Sequence, residues 1–225
     1  MDYEEILGRL KSLSNPDGVA GMARFGINPN RAYGVSIPSL RQMAKQIGTN
    51  RPLAQRLWSS GIRDARILAT MIDNPAEVAA EQMERWVQDF DSWDLCDQCC
   101  NNLFYKTDYS YQKAVEWSLR NEEYVKRAGF VLMACLAVHD KKASDKEFLK
   151  FLLPIKRQAV DDRNFVKKAV NWALRQIGKR SRNLNREAIK TAMEIQQLSS
   201  KSAQWIASDA LRELKSEAIQ KRLAP

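Results

Sequence analysis

The sequence contains one histidine, His139, at the end of an apolar run, where a cation favours a helix C-terminus. That sets aside a mechanism centred on a histidine pair or relay. No run of about eighteen apolar residues is present, so no membrane-spanning helix is expected. The start, MDYEEILGRL, is acidic and lacks the basic-then-apolar order of a signal peptide. With four unevenly placed cysteines, it points to a reducing, cytoplasmic setting. There is no two-residue alternation of apolar and polar side chains, no glycine-rich phosphate loop and no low-complexity tract. One continuous domain over residues 1–225 is the expectation, with an N-terminal helix near 3–13 that either caps the domain or reaches its ligand.

What is present is a hydrophobic content of 44%, enough for a large core, and an uneven charge. Residues 1–119 carry 13 Lys/Arg against 15 Asp/Glu, whereas residues 120–225 carry 23 against 12. A basic half beside a near-neutral half suits a polyanion, nucleic acid first, although a solvated lysine-rich exterior has the same composition.

Nearly every segment has helical periodicity. Prolines and glycines gather in gaps such as SNPDG, GINPN and DNPAE, and Pro38 and Asn74-Pro75 punctuate helix starts. EYVKRAGFVLMACLAV (123–138), NFVKKAVNWALRQI (164–177) and QWIASDALREL (204–214) align with Ala128, Ala169 and Ala210 spaced by 41 residues. GIRDARILATMI (61–72) is an earlier cognate. A helix-pair period near 40 residues is that of HEAT-type repeats. The fold class predicted is all-α, a solenoid of HEAT-like antiparallel helix pairs whose second helices line a concave basic groove.

Three of these helices carry candidate chemistry. Lys168, Trp172, Arg175 and Lys179, at spacings of four, three and four, share one helix face. A tryptophan among cations suits a sugar–phosphate backbone. It also suits a ring plugging the joint to the next repeat, and the spacing leaves both readings open. In helix 124–138 the charges after Val125 are Lys126 and Arg127, ahead of AGFVLMACLAV. A helix this apolar is enclosed on most sides, so Arg127 either pairs with a buried carboxylate or emerges on the concave surface, with Asp97 or a ligand phosphate the anion expected beside it. In SWDLCDQCC, Trp93 and Asp97 are one turn apart on one face. Asp94 points elsewhere, a helix-start carboxylate with Ser92 as N-cap. Asp97 could stabilise a cationic transition state and orient water, or it could bridge to Arg127 between repeats. Cys96, Cys99 and Cys100 lack the second ligand pair of a structural zinc site and are expected to pack, with no metal bound. Cys135 and His139, spaced as i and i+4, are read the same way.

The segments MARFGINPNRAYGVSIPSLRQMAK (22–45), SWDLCDQ, VKRAGFVLM and FVKKAVNWALRQ, in this order, resemble the AlkD-type alkylpurine DNA glycosylases. This is the DNA alkylation repair family of HEAT-like repeats. The resemblance implies a monomeric, cofactor-independent enzyme that releases N3- or N7-alkylated purines from duplex DNA while the base stays stacked. Residue by residue, it makes Asp97 the catalytic carboxylate and Trp93 and Trp172 the tryptophans on the lesion's sugar. It makes Arg127 the active-site arginine, and Arg175, with Lys168 and Lys179 beside it, a phosphate contact. Phe25 stands where the family often has tyrosine. Two alternatives remain: a non-catalytic solenoid that binds damaged or unusual DNA, and a protein–protein scaffold.

Overall fold

The computed structural model describes residues 1–224, and among them helices and turns occur but no strand. Contacts divide the chain into two compact units, Met1–Asp108 and the residues from Tyr109 onward. The first holds α1 (Tyr3–Ser12), α2 (Pro16–Met22), α3 (Ile37–Ile47), α4 (Arg51–Ser59), α5 (Arg63–Ile72), α6 (Ala80–Gln88) and α7 (Trp93–Asn102). The second holds α8 (Ser110–Ser118), α9 (Glu123–His139), α10 (Asp145–Gln158), α11 (Asn164–Gly178), α12 (Arg182–Gln196), α13 (Lys201–Leu214) and α14 (Glu217–Leu223).

The punctuation read from the sequence acts through capping. Asn15, Ser36 and Asn50 each accept the backbone N–H three residues on, with Pro16, Pro38 and Pro52 following in the first turn. Asp2 and Glu5 form a capping box that starts α1. Asn74-Pro75 opens one 3-10 turn, Pro75–Glu77, ahead of α6.

In the first unit α5 packs against α3 and α7, and α4 packs against α1 and α5. Trp58 of α4 stacks on Trp86 of α6, ring centroids 3.9 Å apart. The second unit repeats this plan as two rows. Helices α9, α11 and α13 pack side by side, and α8, α10 and α12 form the row behind them. Ala128, Ala169 and Ala210 are fully buried at equivalent points of the first row, as is Ala65 of α5. The 41-residue period is therefore a packing period: a small residue recurs wherever neighbouring helices press together. α9 is buried along Val125–Ala137, as its composition requires. Its Gly129 lets α8 approach, since a Cβ there would lie 2.8 Å from the Ala114 carbonyl oxygen and 2.9 Å from Ser118 Cα. Arginines tie successive pairs through backbone carbonyls: Arg163 donates to Asn121 at 2.7 Å and Arg180 to Ala143 at 2.7 Å.

Candidate nucleic-acid interface

α7 presents Trp93 and Asp97 on one face, one turn apart, both half-buried. The indole is fixed: Trp93 Nε1–H donates to the Phe25 carbonyl at 2.8 Å. Phe25 ends a 3-10 turn, Ala23–Phe25, closed by Gly26 at φ 70°, and the residue is 69% exposed. Asn28 Nδ2 donates to Asp91 at 2.6 Å, a second tie between this loop and the residues ahead of α7.

Asp94 is buried and belongs to a different structure. It accepts from Arg63 Nε at 2.7 Å and from Ser92 Oγ at 2.7 Å. Arg63 also pairs with the fully buried Asp64 at 3.2 Å, which accepts the backbone N–H of Tyr33 at 2.7 Å and of Val35 at 2.9 Å. This network locks the 31–35 loop, α5 and α7 together. It corrects one expectation. Ser92 stands at the N-cap position of α7, but its hydroxyl makes no cap bond and donates to Asp94 instead. The bond to the carboxylate fixes the hydroxyl's direction, and in that orientation its oxygen accepts no backbone N–H of the first turn. Of the two aspartates within α7, Asp94 is buried and Asp97 half-buried.

The cysteines are core residues. Cys96, Cys99, Cys100 and Cys135 are buried thiols outside any disulfide. Burial pushes the Cys99 thiol well above its ordinary value, and Cys96 and Asp73 add to the shift. A thiol so held is a poor nucleophile at neutral pH. Among the described residues no group of three or more His, Cys, Asp or Glu is placed to hold a metal ion.

In the second unit the two cations of α9 have different surroundings. Lys126 Nζ lies 3.1 Å from Asp161 and 2.9 Å from Gln158 Oε1. Burial pushes the Asp161 carboxyl up, but hydrogen bonds from Arg163 and Lys126 outweigh it and hold the group below the usual range. Arg127, 6% exposed, donates from Nη1 to the Phe165 carbonyl of α11 at 2.5 Å.

On α11, Trp172 is half-buried and Lys168 exposed. With the Gln176 amide turned so that its oxygen faces the indole, it accepts from Trp172 Nε1 at 3.0 Å and from Lys179 Nζ at 3.2 Å. Arg175 and Lys179 share the predicted face with Trp172, yet both reach across to α13. Arg175 Nη1 is 2.6 Å and Lys179 Nζ 2.7 Å from the Glu213 carboxylate. Arg175 Nε lies 3.6 Å from Asp209, which also accepts from Asn171 at 2.7 Å. Burial raises the Glu213 carboxyl, and the two cations outweigh that and hold it low. Sequence reasoning missed this acidic pair, although a signal was present. Asp209 and Glu213 are one turn apart on the helix that the 41-residue alignment sets beside α11. It also missed Arg63 and the Phe25 carbonyl, whose roles depend on loop geometry that no periodicity encodes.

Charge follows the same division. Residues 1–108 carry 12 Lys/Arg against 14 Asp/Glu, and residues 109–225 carry 24 against 13.

Comparison with known proteins gives this arrangement a context. A family model described as DNA alkylation repair enzyme matches residues 6–214. A comparison with the curated proteins finds no match. One solved structure is described as "A new family of proteins related to the HEAT-like repeat DNA glycosylases with affinity for branched DNA structures". It superposes with a TM-score of 0.80 at 19% identity, covering 99% of this chain and 96% of that one. A designed armadillo repeat protein in complex with a peptide reaches a TM-score of only 0.35 at 12% identity, over 83% of this chain and 89% of that one. The first likeness shows the HEAT-like repeat fold predicted from the 41-residue period. Among the described residues no helix is long and apolar enough to cross a membrane.

Proposed function

Because the chain belongs to the DNA alkylation repair enzyme family, we propose that it is a DNA glycosylase acting on cationic N3- and N7-alkylated purines in duplex DNA. The base is released without being flipped from the stack, and no cofactor takes part. The observation that carries this reading is the pairing on α7: Trp93, its indole held by the Phe25 carbonyl, and Asp97 share one face one turn apart, both half-buried.

One carboxylate is enough for such a substrate. An alkylated purine already carries a positive charge, so the bond from C1′ to nitrogen breaks with its electron pair moving to the purine. No general acid has to protonate the leaving group. The sugar is left as an oxocarbenium-like cation, which Asp97 stabilises across a short distance. Asp97 also orients the water that adds to C1′, and the excess proton leaves to solvent. Trp93, its indole N–H anchored on the Phe25 carbonyl, offers a fixed ring edge to the sugar. Trp172 is assigned to the sugar in the same way, and Arg127 to a phosphate at the lesion. Lys168 is exposed and ready for the backbone, whereas Arg175 and Lys179 must exchange Glu213 for phosphate to make the contact assigned to them.

A second reading is a non-catalytic protein that binds damaged or unusual DNA. The solved structure with affinity for branched DNA, similar over nearly the whole chain, favours it. Chromatographic identification of the free bases released from methylated duplex DNA separates the two. Release of 3-methyladenine or 7-methylguanine supports the glycosylase, and DNA binding with no base released supports the second reading.

A further inference from the structure

Trp205 of α13 is 42% exposed. The repeat does not need a tryptophan there. With Ala128, Ala169 and Ala210 in register, its counterparts on α9 and α11 are Glu123 and Asn164, both polar. Cations and polar groups lie about it. Lys167 Nζ of α11 lies 5.6 Å from the ring centroid. Lys201, one turn earlier on α13, and Gln204 are exposed, and so is Lys168 beside Lys167 on α11.

The first turns of α11 and α13 contain no acidic residue, a feature they share with α3, α4, α8 and α12. The positive poles of two long helices are therefore left without a carboxylate on their own first turns, beside three lysines and an open indole. The carboxylates nearby are Asp162, exposed just ahead of α11, and Asp161 and Asp209. Asp161 is bound to Lys126 and Arg163, and Asp209 to Asn171, Arg175 and Arg212.

We propose that this surface is a second nucleic-acid contact, in which Trp205 stacks on an unpaired DNA base and Lys167, Lys168 and Lys201 hold the adjoining phosphates. An aromatic face accepts any base, and cations spaced about it follow the strand, which is the pairing of groups that single-stranded nucleic acid selects. A protein partner would instead require an apolar surround that Lys201, Gln204 and Lys167 do not provide. The proposal rests on the DNA-binding reading above and adds a preference for DNA with an unpaired arm.

The test is fluorescence anisotropy at fixed salt with a labelled blunt duplex and with the same duplex carrying a single-stranded arm. Wild type, Trp205→Ala and Trp205→Phe are compared. Wild type should favour the armed DNA, Trp205→Ala should bind it roughly fivefold or more weakly with the blunt duplex unchanged, and Trp205→Phe should retain most of the preference. Equal binding of the armed DNA by wild type and Trp205→Ala would overturn the proposal. If wild type bound neither DNA, the DNA-binding reading itself would fall. Thermal melting by circular dichroism confirms that each variant is folded, as expected for a surface side chain.

Discussion

Glu213 holds both Arg175 and Lys179, so its carboxylate competes with any phosphate these cations would meet. Glu213→Gln removes the competitor and leaves a side chain of the same shape. The magnitude follows from what must be broken for DNA to bind. The side chains of Arg175, Lys179 and Glu213 are 29%, 15% and 28% exposed, and pairs of this exposure contribute up to about 1 kcal/mol each. Relief of two such pairs, up to about 2 kcal/mol together, tightens DNA binding by up to about thirtyfold. If both cations then reach phosphates, the slope of log K against log salt steepens by up to about 1.8. A charge change alone also raises affinity, so the comparison is with Glu217→Gln. Glu217 pairs with Lys221 on α14, both side chains are largely exposed, and the net charge changes identically. The assay is a salt titration of duplex binding for the three proteins. Matching affinity and slope in the two variants would refute the masking role of Glu213. A pH signature accompanies it. The Glu213 carboxyl is held below its ordinary value, so the ion pairs stabilise the protein above the usual carboxylate range. That stability is lost as pH falls through the lowered value, and Glu213→Gln should flatten this part of the Tm profile.

Glycine replacements should give opposite signs at two helical positions. Gly129→Ala sets a methyl 2.8 Å from the Ala114 carbonyl oxygen and closer still to Ser118 N, forcing α8 from α9. Overpacking costs about 1–3 kcal/mol or more against about 1 kcal/mol of helix propensity regained, so urea unfolding should record a net loss. Gly8→Ala in α1 meets nothing within 4 Å and should stabilise by up to about 1 kcal/mol; equal effects at the two sites would contradict the close α8–α9 approach. Arg63→Met strands the buried Asp64 and Asp94 and should cost about 3–5 kcal/mol, read as a fall in the urea midpoint. A loss below about 1 kcal/mol would show that the carboxylates do not depend on Arg63.

The sequence was most legible where the physics is local and repeated. The spacing of Ala128, Ala169 and Ala210 reflects one packing event made three times, so it could be read without coordinates. Trp93 and Asp97 share a face because four residues make one turn, and that needs no tertiary knowledge. Partner choice was less legible. Arg63 bridges Asp64 and Asp94 because a loop and two helix starts converge there. Glu213 takes Arg175 and Lys179 because α13 is set beside α11 at a matching height. Both depend on the rotation and rise of one helix against the next, which a helical wheel does not contain. Ser92 shows the same limit at short range: its position named it a cap, and a carboxylate two residues away redirected the hydroxyl.

The glycosylase proposal stands or falls on Asp97. The direct measurement is the single-turnover rate of base release from a duplex carrying one N7-methylguanine, by wild type and Asp97→Asn, with duplex affinity measured in parallel. Loss of a carboxylate that stabilises the sugar cation should slow release by about a hundredfold or more while affinity stays close to wild type. Release by Asp97→Asn at the wild-type rate would contradict the account and remove Asp97 from the chemistry.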